Sequence, residues 1–239
     1  MGKVILFKNN KGGVGKSLLT FWTAHGITSQ MMKSENENFK ILILTSDSQN
    51  NILQFSGIKH KFGKGLEEYI ENGTGELIRL RENLMYIPLT STKIKSSFED
   101  KFLKLLETFK KQYDFIFIDG SPVLELDNVF VNAADSIIVP TYLDTVTNTG
   151  VINLINSIDT NKIVAIVPNR VGRGKKEKEY YTDLKNALSE YTTITSSIPQ
   201  TAMIRDLTEK GKTIWETKVA KIHDIKKTFI EIVGAIINE

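Results

Sequence analysis

Short β-branched and aromatic runs alternate along this chain with longer stretches in which apolar residues recur every third or fourth position. That rhythm predicts βαβ units around a parallel sheet. The predicted strands are Lys3–Phe7, Lys40–Leu44, Leu84–Pro88, Phe115–Ile118, Ser136–Val139, Lys162–Val167 and Thr193–Ser197. Most are apolar at every position, as expected where helices cover both faces of a sheet. Helical spacing follows at Lys16–Met32, Gly65–Glu71, Ser97–Gln112, Thr147–Asp159, Lys176–Tyr191 and Glu216–Asn238. The last of these sets Val219, Ile222, Ile225, Phe229, Ile232, Val233 and Ile236 at helical intervals. The fold class expected is α/β: one domain over residues 1–239, with a mostly parallel twisted sheet flanked by helices. The Gly-, Lys- and Asn-containing stretches Ser34–Asn38 and Arg170–Lys178 read as loops of that domain, and no internal repeat or linker interrupts it.

At 239 residues the chain is long enough to bury a sizeable core, and 41% hydrophobic with 25% charged residues is an ordinary globular mixture. Cysteine is absent, which excludes disulfides, thiolate zinc and cysteine-ligated iron–sulfur clusters. His25, His60 and His223 are too scattered to suggest a metal site. The first residues lack the length and cleavage region of a signal peptide, and no apolar run approaches the roughly 20 residues of a membrane span. A cytoplasmic protein without membrane partners is expected. Formal net charge is only +3, but Arg170 to Lys227 holds thirteen Lys/Arg against eight Asp/Glu. Candidates for a basic face are Arg173, Lys175 and Lys176 in one loop, Arg205, Lys210 and Lys212 further on, and Lys218, Lys221, Lys226 and Lys227 on the last predicted helix.

The chemistry concentrates after the first strand. Lys8-Asn9-Asn10-Lys11-Gly12-Gly13-Val14-Gly15-Lys16-Ser17 lies between a strand and a helix. Gly12, Gly13 and Gly15 let the backbone around Val14 turn tightly and aim its N–H groups at one anion, and the helix N-terminus adds partial positive charge. Lys16 is spaced to reach β- and γ-phosphates and Ser17 to coordinate Mg²⁺. A strict P-loop would carry glycine at Asn10. Two strands then end in acids, at the edge where open α/β sheets bind ligands. Ile41–Leu44 runs into Thr45-Ser46-Asp47-Ser48-Gln49, and Phe115–Ile118 into Asp119-Gly120-Ser121-Pro122. An apolar strand ending in aspartate downstream of a P-loop is the Walker B arrangement, with Asp119 holding Mg²⁺ through water.

Lys11-Gly12-Gly13-Val14-Gly15-Lys16-Ser17 resembles the deviant Walker A motif of ParA/MinD ATPases, in which the early lysine is the signature residue. The likeness runs from residue 3 to about 235, is weak between Gln54 and Asn83, and is nearest to short, Soj-like ParA partition ATPases. It implies that Lys11 reaches across a nucleotide-sandwiched homodimer to the partner's ATP, and that Asp47 orients the attacking water. Asn169, at the end of a strand, is implied to contact adenine, and Pro199 in Ser197-Ile198-Pro199-Gln200 to border it; no Asn-Lys-x-Asp guanine motif is present. Asn132-Ala133-Ala134-Asp135-Ser136 also matches, as an architectural segment. Departures are Leu18, where relatives carry a second hydroxyl beside the nucleotide, and Thr45 and Ser48, where they carry an acid and a proline.

What the resemblance implies is a slow, Mg²⁺-dependent ATPase that dimerises on ATP, binds duplex DNA nonspecifically, and drives plasmid or chromosome segregation with a ParB-like adaptor. Starting directly at the P-loop strand, it is expected to lack the helix-turn-helix of larger relatives and to associate with the nucleoid. The alternatives are a MinD-like membrane-cycling ATPase and a ParA-like ATPase that positions a protein cargo. Such membrane-cycling relatives end in a basic amphipathic helix, whereas Phe229–Glu239 is apolar and then acidic.

Overall fold

The computed structural model describes residues 2–34, 38–91, 98–121 and 124–238. They form an eight-stranded sheet: β1 (Lys3–Phe7), β2 (Ile41–Thr45), β3 (Ile78–Arg81), β4 (Leu84–Ile87), β5 (Phe115–Asp119), β6 (Ser136–Thr141), β7 (Ile163–Pro168) and β8 (Thr193–Ile194). The order is β3-β4-β2-β5-β1-β6-β7-β8, parallel throughout except that β3 runs antiparallel to β4. The helices are α1 (Lys16–Lys33), α2 (Asn51–Ser56), α3 (Leu66–Asn72), α4 (Phe98–Lys110), α5 (Leu124–Ala133), α6 (Thr145–Ser157), α7 (Lys175–Leu188), α8 (Ala202–Glu209) and α9 (His223–Ile237).

Strand residues alternate between two cores, the direct consequence of the two-residue period. Ile5, Phe7, Ile41, Ile43 and Phe117 join Phe21, Trp22, Phe229 and Ile232 of α1 and α9. Val4, Leu6, Leu42, Leu44, Ile116 and Ile118 join Phe102, Phe130, Leu154 and Leu184 of α4 to α7 on the opposite face. With both faces covered, β1, β2 and β7 are apolar and buried almost without interruption, which is why they stood out in the sequence. The β3 edge strand did not: Ile78-Arg79-Leu80-Arg81 is short, and it alternates apolar with cationic residues.

Several expectations need correction. α2 and α8 span only six and eight residues, too few for helical spacing to declare itself. α5 was also not predicted, and Asn132 and Ala133, read as leading into a strand, are its last turn. Asp135 is the joint: its Oδ2 accepts the Val4 N–H at 2.7 Å while its own N–H donates to the Val4 carbonyl. The strand expected over Thr193–Ser197 stops at Ile194, and Ser196 instead donates its N–H and hydroxyl to the Glu231 carboxylate on α9. The helix expected from Glu216 begins at His223. Glu216 is committed elsewhere: it accepts the Thr213 N–H at 2.8 Å and a two-pronged contact from Arg81 at 3.0 and 3.2 Å. Trp215 packs on α1, its Nε1 donating to the Trp22 carbonyl at 2.6 Å. Gly26 admits it, since a Cβ there would sit 2.6 Å from the indole. Lys218 and Lys221 therefore lie off the last helix, Lys218 in a connecting turn and Lys221 in a 3-10 turn, Ala220–Ile222. Residues 35–37 of one expected loop, Ser97 of one expected helix and Pro122 lie outside the described residues.

Candidate functional site

Strand register builds the site. Phe7 is paired with Asp119, and Asp119 with Thr45, so the glycine loop and both acidic segments emerge at one level from three adjacent strands. The loop turns through Gly13 (φ 78°) and Gly15 (φ 98°), left-handed backbone that a side chain strains. A Cβ on Gly15 would also lie 2.2 Å from Asn169 Nδ2. That amide, 3% exposed at the end of β7, donates to the Val14 carbonyl at 2.8 Å, and its Oδ1 accepts the Arg170 N–H at 2.9 Å. Asn169 thus braces the loop from behind as well as lining the cavity in front.

Lys16 is buried, its ammonium donating to the carbonyls of Asn9 and Lys11 at 3.0 Å each. Asn9 in turn donates to the Pro140 carbonyl at 2.7 Å and accepts the Lys11 N–H at 2.8 Å. It anchors the loop to β6, a role that the sequence marks only by an asparagine two residues beyond β1. Leu18, beside Ser17 on the cavity wall, presents an apolar side chain that packs onto the core.

Asp119 is 1% exposed, and among the described residues neither carboxylate oxygen has a partner within hydrogen-bonding geometry. Burial drives its pKa up to about 7; the nearby Ser17 hydroxyl and Lys16 charge offset only part of this, and Asp47 adds to the rise. A buried orphan carboxylate beside a serine hydroxyl is a hard oxygen donor set that a divalent cation would satisfy, so the residues fit Mg²⁺. Asp47 is half-buried, its Oδ1 accepting the Gln49 N–H at 2.9 Å and its N–H donating to Thr45 Oγ1 at 3.0 Å. Thr45 is fully buried and brackets the backbone of both acidic segments, with no charge of its own. The loop closes on Asn50 (φ 48°), whose amide donates to Ser48 and Leu89 and accepts from Leu89 and the Tyr86 hydroxyl.

These groups face a cavity of about 560 Å³. Gly12, Gly13, Gly15, Lys16, Ser17 and Asp47 line it together with Asn169, Arg170 and Pro199. Pro199 is held there by its bridge to Val171. Phe55 and Ile204, from α2 and α8, complete an apolar wall. Arg205, read as a basic-face candidate, lines this cavity too, and Arg170 was missed as a lining residue. Lys11 turns toward Asp144, 3.1 Å away, with its ammonium 5.5 Å from the centre of the Tyr142 ring. Tyr142 and Asp144 follow β6 with no motif to mark them.

Of the basic-face candidates, Arg173, Lys175, Lys176, Arg205, Lys210, Lys212, Lys218, Lys221 and Lys227 are exposed. Lys226 is the exception: half-buried, it donates to the Thr217 carbonyl at 3.1 Å and lies over Trp215. Among the described residues no helix is long and apolar enough to cross a membrane.

Residues 2–166 match the AAA domain family. Apo McdA of Cyanothece superposes with a TM-score of 0.82 at 16% identity, covering 99% of this chain and 100% of that one. MinD from the MinC:MinD cell division complex of Aquifex aeolicus gives 0.78 at 20%, covering 98% and 96%. A putative plasmid partition protein of Borrelia burgdorferi B31, bound to AMPPNP, gives 0.77 at 17%, covering 100% and 99%. At such identities the superpositions speak to the fold; the family match, spanning most of the chain, and the early lysine of the phosphate loop speak to descent. The chain belongs to the AAA domain family.

Proposed function

We propose that residues 1–239 form one ParA-like domain that binds and hydrolyses ATP and uses the cycle to position DNA. The observation that carries the ATPase reading is the carboxylate of Asp119, buried beside Ser17 and Lys16, which line the cavity. Gly12 to Leu18 offer backbone N–H groups and a helix N-terminus to the phosphates. Lys16 leaves its two carbonyl partners for the terminal phosphates. Ser17, and Asp119 through water, would hold Mg²⁺, which supplies positive charge against the phosphate oxygens. Asp47 orients the attacking water, Asn169 and Pro199 flank the base, and Lys11 serves the ATP of a second copy. Lys16→Ala is expected to abolish ATP binding with the fold intact, and retained affinity would refute this assignment. Asp47→Ala is expected to bind ATP, accumulate as dimer and hydrolyse slowly, whereas Lys11→Ala binds ATP as a monomer; equal dimerisation of both in light scattering would remove the trans role of Lys11.

DNA positioning, with a ParB-like adaptor that triggers hydrolysis, is supported by the exposed cations at Arg173, Lys175, Lys176, Lys210, Lys212, Lys218, Lys221 and Lys227. Two basic faces paired by ATP contact more phosphates than one and add by avidity, so binding should require ATP and fall steeply with salt. The partition protein bound to AMPPNP shares the fold and supports the same direction. One observation favours a membrane-cycling reading: Ile230 and Ile237, seven residues apart on α9, are 57% and 51% exposed. Co-sedimentation with plasmid DNA and, separately, with anionic liposomes, in ATP and in ADP, separates the two. ATP-dependent, salt-sensitive pelleting with DNA supports partition; pelleting with liposomes alone overturns it.

A further inference from the structure

We infer that Asp144 and Tyr142 form a latch that holds Lys11 within its own protomer until a second, nucleotide-bound copy draws it out. This rests on the reading of Lys11 as a residue that acts in trans, and adds the device that keeps it from acting early.

The loop fixes where Lys11 can point. Its backbone N–H donates to Asn9 Oδ1 at 2.8 Å and its carbonyl accepts the Lys16 ammonium at 3.0 Å, so the main chain on both sides of its Cα is pinned. From there the side chain reaches the segment after β6, where Asp144 Oδ2 lies 3.1 Å from its ammonium and the face of Tyr142 5.5 Å away. Tyr142 is itself held through its hydroxyl, which donates to the Gly13 carbonyl and accepts Arg170 Nη1 at 3.3 Å. One short segment therefore supplies a carboxylate and an aromatic face to the same cation, and ties their positions to the phosphate loop.

The strength of the contact suits a latch. The Lys11 and Asp144 side chains are 37% and 45% exposed, so water and salt weaken their attraction. A half-exposed pair of this kind biases an equilibrium by about two- to five-fold. The polyphosphate of a second protomer offers several charged oxygens and outcompetes a single carboxylate. Lysine, a compact charge on a flexible stem, can exchange one for the other without moving the backbone. Each dimer opens two latches, so the two biases multiply to about 4- to 25-fold in the dimer dissociation constant.

Asp144→Asn keeps the side-chain shape and removes the charge. The direct test is acylation of Lys11 by an amine-reactive ester in the nucleotide-free protein, followed by peptide mass spectrometry. Lys11 should label several-fold faster in Asp144→Asn than in the wild type at low salt, and at nearly the same rate at high salt; equal rates at low salt overturn the latch. This readout needs no dimer, so it stands apart from the trans assignment, which Lys11→Ala tests. Sedimentation with Mg–ATP then reads the consequence. The Asp144→Asn dimer should form at a protein concentration about 4- to 25-fold lower than the wild type. In a Lys11→Ala background the same substitution should change nothing. A weaker dimer in Asp144→Asn, or the same gain without Lys11, would place Asp144 in another role.

Discussion

Replacing Asp119 by asparagine should make the nucleotide-free protein more stable while disabling it. The carboxyl rises from 3.8 to about 7 because burial strips its water, and the Ser17 hydroxyl and the Lys16 charge return only part of what is lost. At about 1.4 kcal/mol per pH unit, that displacement means about 4 kcal/mol of folding free energy lost when the group must be charged. The sign follows from which state holds the proton. Above about pH 7 both folded and unfolded chains are ionised and the whole penalty is present; as pH falls toward 3.8 the folded form takes up a proton first, and the penalty disappears. Asparagine has no charge to bury, but its amide loses water too, at about 1–3 kcal/mol, so the net gain near pH 8 should be about 1–3 kcal/mol. Urea unfolding of wild type and Asp119→Asn in EDTA measures it. The advantage of the variant should shrink by about 2 kcal/mol between about pH 8 and about pH 5.5. Adding Mg–ATP should reverse the order, stabilising the wild type by mass action and the variant far less. A stability difference that does not change with pH, or a variant less stable than the wild type at the alkaline end, would refute the account of Asp119 as a strained, metal-ready carboxylate.

Other parts of the molecule make sharp predictions as well. Asn169→Ala removes the brace on Val14 and should weaken ATP binding about ten-fold, read by fluorescent-nucleotide titration, and cost about 1–3 kcal/mol in urea unfolding. Gly26→Ala drives a methyl into Trp215 and should cost about 1–3 kcal/mol in urea unfolding, together with a shift in tryptophan emission. Arg81→Ala removes both guanidinium contacts to Glu216 and the donor to the carbonyls of Ser56 and Gly211, and should cost about 1–3 kcal/mol by the same measurement. His25, buried against Thr213, has its pKa lowered from 6.5 to about 4, chiefly by loss of water. The unfolded chain therefore gains a proton first as pH falls below 6.5, and stability should drop by about 3 kcal/mol by about pH 4; His25→Asn should remove that slope.

The glycine loop, the aspartate that ends β5 and the parallel sheet were legible because each is written locally. A glycine run between a strand and a helix, and an apolar run ending in an acid, are constrained by neighbours in sequence, and strands buried on both faces leave no polar position to blur them. The same locality hid the rest. The β3 edge strand is half-exposed, α2 and α8 are shorter than the spacing needs, and the last helix starts late because Glu216 is claimed by Thr213 three residues before it and by Arg81, far away along the chain. Only the tertiary structure could show that Asn169, expected to contact adenine, braces the glycine loop, that Lys226 is occupied by Thr217 and Trp215, and that Arg205 faces the cavity. Lys11 marks the division most clearly. Its identity and place in the motif follow from seven consecutive residues, but its rest position depends on Tyr142 and Asp144, which β6 carries to the loop from more than a hundred residues away, and no local pattern encodes a contact that sheet order alone creates.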